Sequence, residues 1–184
     1  MFEAKEQGGN RIRYFRESMA DGRQRRRQLE NDLREALDKH ELVLYYQPVM
    51  QSDGRLYGVE VLLHWSRSCE GDDMNHSEIL QAAEDSRLVV RLGHYMLAKL
   101  STDMERLVQS GAKRLMVNSN VGQLRHNGFV DALGEIATLW NNFGRECYVE
   151  IAEAEIARDK KSVVSAIRKL NKYHIKCMID HFGA

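Results

Sequence analysis

Four oxygen-bearing residues draw attention because of where they fall in apolar runs. Glu60 sits inside "GVEVLL", Asn118 closes "LMVN", Glu150 sits inside "YVEI" and Asp180 closes "CMID". The last three follow one another at intervals of 32 and 30 residues, about one strand-helix unit each. In a parallel barrel or open sheet, residues at the carboxyl ends of the strands converge on one face, where ligands bind. Three carboxylates and an amide oxygen gathered there repel one another unless something positive lies among them. Such oxygen donors suit Mg²⁺, Mn²⁺ or Ca²⁺, and the absence of paired cysteines or HxxxH spacing argues against structural zinc. Any one of these residues alone reads as a strand-end group capping the next helix. The four together leave both readings open, and the pattern names no substrate.

The elements that must position them follow from periodicity, because a single proline in 184 residues leaves the chain almost without proline punctuation. From Ser18 to His40 the pattern is helical, with Leu29, Leu33, Ala36 and Leu37 on one narrow face, and it reads as a linker helix. "LVLYYQPVM" (42–50) and "RLYGVEVLLHW" (55–65) are rich in β-branched and aromatic residues, and Asp53-Gly54 between them signals a hairpin. A long helical stretch, 77–109, carries a break near Ser86. Strands at 114–118, 147–151 and 176–180 then alternate with helices at 130–141 and 159–173, the rhythm of βαβ units and a parallel sheet.

Bulk composition narrows the function less. Lys+Arg and Asp+Glu balance at 27 each, so charge favours neither a nucleic-acid polymer nor a membrane surface as partner. "RQRRRQ" (23–28) reads as a solvated helix face rather than a binding patch. Cys69, Cys147 and Cys177 are odd in number and widely spaced, which fits reduced thiols in a cytoplasmic protein. No apolar stretch approaches the ~18–20 residues of a membrane span, and "MFEAKEQGG" lacks the order of a signal peptide. The expected location is cytoplasmic.

From about residue 29 onward, several blocks resemble those of a known family. "LVLYYQPVMQSDGRLYGVEVLLHW", "AAEDSRLVVRLGHYML", "LMVNSNVGQL", "YVEIAEAEI" and "MIDHFGA" occur in the order and at the spacings of the EAL domain cyclic di-GMP phosphodiesterases. The first fifteen residues, "MFEAKEQGGNRIRYF", resemble the end of a GGDEF diguanylate cyclase domain. The resemblance implies three parts: a C-terminal GGDEF remnant (1–17), a linker helix (18–40) and a partial EAL domain (41–184). The implied fold is α/β, an incomplete TIM-like (β/α) barrel with an antiparallel first strand.

The activity it implies is hydrolysis of cyclic di-GMP to pGpG with Mg²⁺ or Mn²⁺. Carried over residue by residue, Glu60, Asn118, Glu150 and Asp180 fall on metal-ligand positions, with Glu60 and Asp180 also catalytic. Gln47 and His64 fall on substrate-binding positions, and Glu153 on a supporting one.

Departures from the family pattern point the other way. "EVL" replaces "EAL", His64 stands where the family has an arginine that meets phosphate, and His181 replaces the second aspartate of "DDFG". Histidine lacks the bidentate fork of arginine, and imidazole is a poor Mg²⁺ ligand that brings no negative charge. A (β/α)₈ barrel needs at least ~200 residues, more than residues 42–184 supply. The expectation is therefore a barrel that does not close, a fragment of a longer reading frame or a remnant, with an open parallel edge after Ile179 that invites pairing. Expected partners are cyclic di-GMP and a homodimer mate or regulatory protein; the alternative to an enzyme is a catalytically inactive EAL regulator.

Overall fold

The computed structural model describes residues 17–66, 73–180 and 183. The GGDEF-like segment before Glu17, Cys69 and His181 lie outside the described residues. Helix α1 (Glu17–Asp38) leads into the hairpin β1 (Val43–Met50) and β2 (Leu56–Ser66), then a two-residue strand β3 (Asp73–Met74). Helices α2 (His76–Asp85) and α3 (Val89–Gln109) follow, then β4 (Arg114–Asn118), α4 (Val121–Arg125) and α5 (Asn127–Asn141). Strand β5 (Glu146–Ala152), α6 (Glu153–Arg158), α7 (Lys160–Leu170), a 3₁₀ turn (Asn171–Tyr173) and β6 (Lys176–Asp180) complete the order.

One sheet runs β1-β2-β4-β5-β6, with β3 hydrogen-bonded to β2. Strand β1 is antiparallel to β2, whereas β2, β4, β5 and β6 are mutually parallel. This is the α/β, TIM-like arrangement with an antiparallel first strand, and among the described residues the sheet does not close. The outermost strands carry exposed apolar residues, Val43, Tyr45 and Met50 on β1 and Met178 and Ile179 on β6. Pro48, which cannot donate to a ladder, sits on the edge strand β1, where its missing N–H is tolerated.

Local chemistry sets the breaks. The hairpin turns at Gly54 (φ 81°), with the Arg55 N–H held by Asp53 Oδ1 at 3.0 Å. Helix α1 ends where His40 takes a left-handed φ of 59°, so that the Glu41 N–H reaches back to the Ala36 carbonyl at 2.9 Å. The break near Ser86 is of the same kind: Arg87 has φ 59°, and the Leu88 N–H bonds the Ala83 carbonyl at 2.8 Å. Two short helices, α4 and α6, go beyond the periodicity, each being too short to show a repeat.

The pleat divides the labour of the sheet. Val59, Val61, Leu63, Leu115, Val117, Cys147, Val149 and Ile151 are buried on one face, packed in a core with Leu92, Met96 and Leu100 of α3 and Phe129, Leu133 and Trp140 of α5. Each such side chain contributes roughly 1.5–3 kcal/mol by leaving water, so this outer layer holds the fold. The opposite face carries Glu60, His64, Arg114, Asn118, Glu146, Tyr148, Glu150, Lys176 and Asp180 by the alternation of the strands. It is left for chemistry.

The two described cysteines, Cys147 and Cys177, are free thiols, and burial pushes that of Cys147 up to about 12. No helix of the described residues is long and apolar enough to cross a membrane.

Candidate functional site

The inner face of the sheet is electrically lopsided along the strands. At the amino ends, Arg114 Nε meets Glu146 Oε2 at 3.0 Å, Lys176 pairs with the same carboxylate, and the Arg114 guanidinium lies 3.7 Å over the Tyr57 ring. At the carboxyl ends, β2, β4, β5 and β6 bring acids and an amide but no lysine or arginine.

Register places these groups side by side. Asn118 pairs with Glu150 across β4 and β5, and Asp180 lies opposite Ala152 across β5 and β6. Asn118, 9% exposed, donates from Nδ2 to Glu60 Oε1 at 2.6 Å. Glu150 feels burial first, then the charges of Glu60 and Asp180, and its carboxyl is raised to about 7. The three acids among the four sequence-selected residues are thus electrostatically coupled. Asn118, Glu150 and Asp180 also line one cavity of about 260 Å³.

The donors stand as neighbours along a sheet rather than as a finished cage: among the described residues, no three acidic, histidine or cysteine side chains enclose a metal position. Their chemistry nonetheless fits a hard divalent cation. All are oxygen donors, and their repulsion, recorded in Glu150, is what a cation relieves.

The two residues expected on the substrate side, Gln47 and His64, lie on the two hairpin strands. Gln47 is exposed on β1, directly opposite Glu60 in the ladder. His64 stacks on Tyr45, with ring centroids 4.6 Å apart and 14° between planes, and its Nε2 lies 3.6 Å from Asp73 Oδ2. Ser66 Oγ bonds Asp73 Oδ1 at 2.8 Å, so the short β2–β3 pairing fixes the histidine's neighbours.

Several supporting residues carry no apolar-run signature. Asn120 caps α4 in a reciprocal box with Gln123, and its Nδ2 also donates to Glu84 Oε1 at 2.6 Å. Gln123, 1% exposed, donates to the Val89 carbonyl at 3.0 Å. Glu155 Oε2 receives the Val121 N–H at 2.6 Å, tying α6 to the loop after β4. Glu153 Oε2 accepts the Gly183 N–H at 2.8 Å. The spacing N-x-x-Q at 120–123, a capping-box signal, was the one available clue to this ring.

The EAL domain family model matches residues 30–184. The chain is 31% identical over 186 residues to the bifunctional diguanylate cyclase/cyclic di-GMP phosphodiesterase MucR of Pseudomonas aeruginosa, covering 100% of this chain and 27% of MucR. It is 26% identical over 184 residues to the cyclic di-GMP phosphodiesterase PdeR of Escherichia coli, covering 100% of this chain and 28% of PdeR. The chain therefore spans little more than a quarter of the length of these relatives.

A solved structure of the MucR phosphodiesterase in complex with c-di-GMP matches with a TM-score of 0.70 at 31% identity, covering 85% of this chain and 64% of that one. The FimX EAL domain of Xanthomonas citri in complex with c-di-GMP matches with a TM-score of 0.68, covering 86% and 62%; at 18% identity it speaks for the fold alone. Family model, sequence identity and fold converge: the chain belongs to the EAL domain family.

Proposed function

We propose that this chain is a cyclic di-GMP module, binding the dinucleotide over the carboxyl ends of its parallel strands with a Mg²⁺ or Mn²⁺ ion held by Glu60, Asn118, Glu150 and Asp180. The observation that carries the reading is the coupled acid cluster, in which burial and then the charges of Glu60 and Asp180 raise Glu150 to about 7 beside Asn118. A phosphodiester cannot approach three carboxylates without a cation between them. When bound, such an ion neutralises phosphate charge and lowers the pKa of water, the chemistry that turns cyclic di-GMP into pGpG.

The residues of the chain would do the rest. Asn118 Nδ2 holds one Glu60 oxygen, which leaves its own Oδ1 and the second Glu60 oxygen for the cation. Gln47, across the ladder from Glu60, is placed to hydrogen-bond the nucleotide. Within this reading, residues 1–17 are the end of a GGDEF domain, 18–40 the linker helix and 41–184 a partial EAL domain of a cytoplasmic protein.

A second reading, a silent receptor that acts through a homodimer mate or regulatory protein, draws on His64. Its ring is engaged by Tyr45 and faces Asp73, where a guanidinium would reach for phosphate. Calorimetry with cyclic di-GMP in Mg²⁺ and Mn²⁺, followed by chromatography for pGpG, separates the two. Binding with pGpG formation makes the chain an enzyme, and binding without turnover makes it a receptor. No binding with either ion removes the nucleotide from its function.

A further inference from the structure

His76 opens helix α2, far from the strand ends in sequence, yet it lines the same cavity as Asn118, Glu150 and Asp180. It is 9% exposed. Its Nδ1 accepts the Leu63 N–H at 3.0 Å. Leu63 lies two residues beyond Val61, the last β2 residue that pairs with β4, so the imidazole takes up a backbone donor where the two strands part.

That bond decides the tautomer. A neutral ring that accepts at Nδ1 carries its proton on Nε2. The ring is neutral at pH 7, because burial pushes it down to about 4 even though the nearby Asp180 charge pulls it up. Among the described residues, Nε2 is a buried donor with no hydrogen-bond partner. A buried orphan donor is costly unless it serves something, and the Asp180 carboxylate, which lines the same cavity, is its charged neighbour.

We propose that His76 is a positioning residue for the strand-end site, its Nε2–H holding the Asp180 carboxylate, through a water where the gap requires one. The inference rests on the reading of Asp180 as a cation ligand. Ligands to metals are oriented by such outer hydrogen bonds, and losing one typically costs 10–100-fold in metal affinity.

The two ring nitrogens can be tested apart. In His76→Asn the side-chain oxygen replaces Nδ1 and the outer donor is lost; in His76→Gln the amide nitrogen replaces Nε2 and the acceptor for Leu63 is lost. The expected result with the full chain is a His76→Asn protein that melts near the wild type but binds Mn²⁺ about tenfold more weakly by calorimetry. His76→Gln melts lower and keeps its Mn²⁺ affinity.

In metal-free protein, Asp180→Asn is expected to move the His76 Nε2 resonance in ¹⁵N imidazole spectra. A His76→Asn protein that binds Mn²⁺ as the wild type does, or an Nε2 resonance indifferent to Asp180→Asn, overturns the inference. If the wild type takes up no Mn²⁺, the cation reading falls, and the Nε2 response alone decides the link between His76 and Asp180.

Discussion

The Asn118 amide donates to the Glu60 carboxylate across the parallel pair of β2 and β4, at 2.6 Å and with Asn118 nearly buried. An amide at this position supplies a donor toward Glu60 and an acceptor toward the cavity, which no carboxylate can do. Asn118→Asp replaces the donor with a second charge beside Glu60. At short range and partial burial, such repulsion costs a few kcal/mol, or ~5–10 °C in a chain of this size. The melting temperature in EDTA should fall by about that much, and Mg²⁺ or Mn²⁺ should restore most of it. Asn118→Ala, with no oxygen to offer, should show little rescue by either ion. Parallel thermal melts with and without metal check both.

Glu150 and His76 should make opposite contributions to stability over nearly the same pH range. The Glu150 carboxyl is raised from 4.5 to about 7, so the folded state binds more protons than the unfolded one between those values. Its contribution therefore falls as pH rises from 4.5 to 7. His76 is lowered from 6.5 to about 4, so the unfolded state binds more protons there, and its contribution is lost as pH falls from 6.5 to 4. In metal-free urea melts from pH 4.5 to 6.5, Glu150→Gln should make stability rise more steeply with pH than in the wild type. His76→Asn should make it fall. Parallel curves for wild type and both variants would show that neither group is perturbed.

Gly58 is a packing requirement of the site rather than a flexible point. A Cβ there would stand 2.7 Å from the Arg114 carbonyl oxygen and 2.7 Å from Met116 Cε. The carbonyl belongs to β4 and cannot move without loosening the pairing that puts Glu60 level with Met116, two residues before Asn118. Gly58→Ala should cost about 1–3 kcal/mol, the usual penalty of overpacking. The urea midpoint should drop, and Mn²⁺ affinity should drop with it. Gly54→Asn, at a turn with φ 81° and open space, should leave metal affinity unchanged.

Much of this was legible in the chain because period and position carry it. The apolar alternation of 114–118, 147–151 and 176–180 places the strands, and the polar residues that interrupt or close them, Glu60, Asn118, Glu150 and Asp180, come together as spacing predicts. The residues that hold those four were much harder to see. His76 meets Leu63, and Glu155 meets Val121, through contacts between elements distant in sequence, for which no local pattern exists. The helices α4 and α6 were missed because five or six residues cannot display a period of 3.6.

His64 provides the sharpest test of what the module can bind. On the resemblance it falls where the family has an arginine, and its imidazole stacks on Tyr45 at 4.6 Å and faces Asp73 Oδ2 at 3.6 Å. A guanidinium at this point would keep the stacking surface, since its plane can lie on Tyr45, and would add a permanent charge with a bidentate fork. A hydrogen bond to a charged group is worth about 1.5–3 kcal/mol, so His64→Arg should tighten cyclic di-GMP binding by roughly 10–100-fold. Asp73 competes for the new charge, and His64→Arg combined with Asp73→Asn should therefore bind tighter still. Calorimetric titration of the wild type and both variants, at fixed Mg²⁺ and ionic strength, measures the series. An affinity that does not change across it would place the phosphate contact elsewhere and leave His64 as a packing partner of Tyr45.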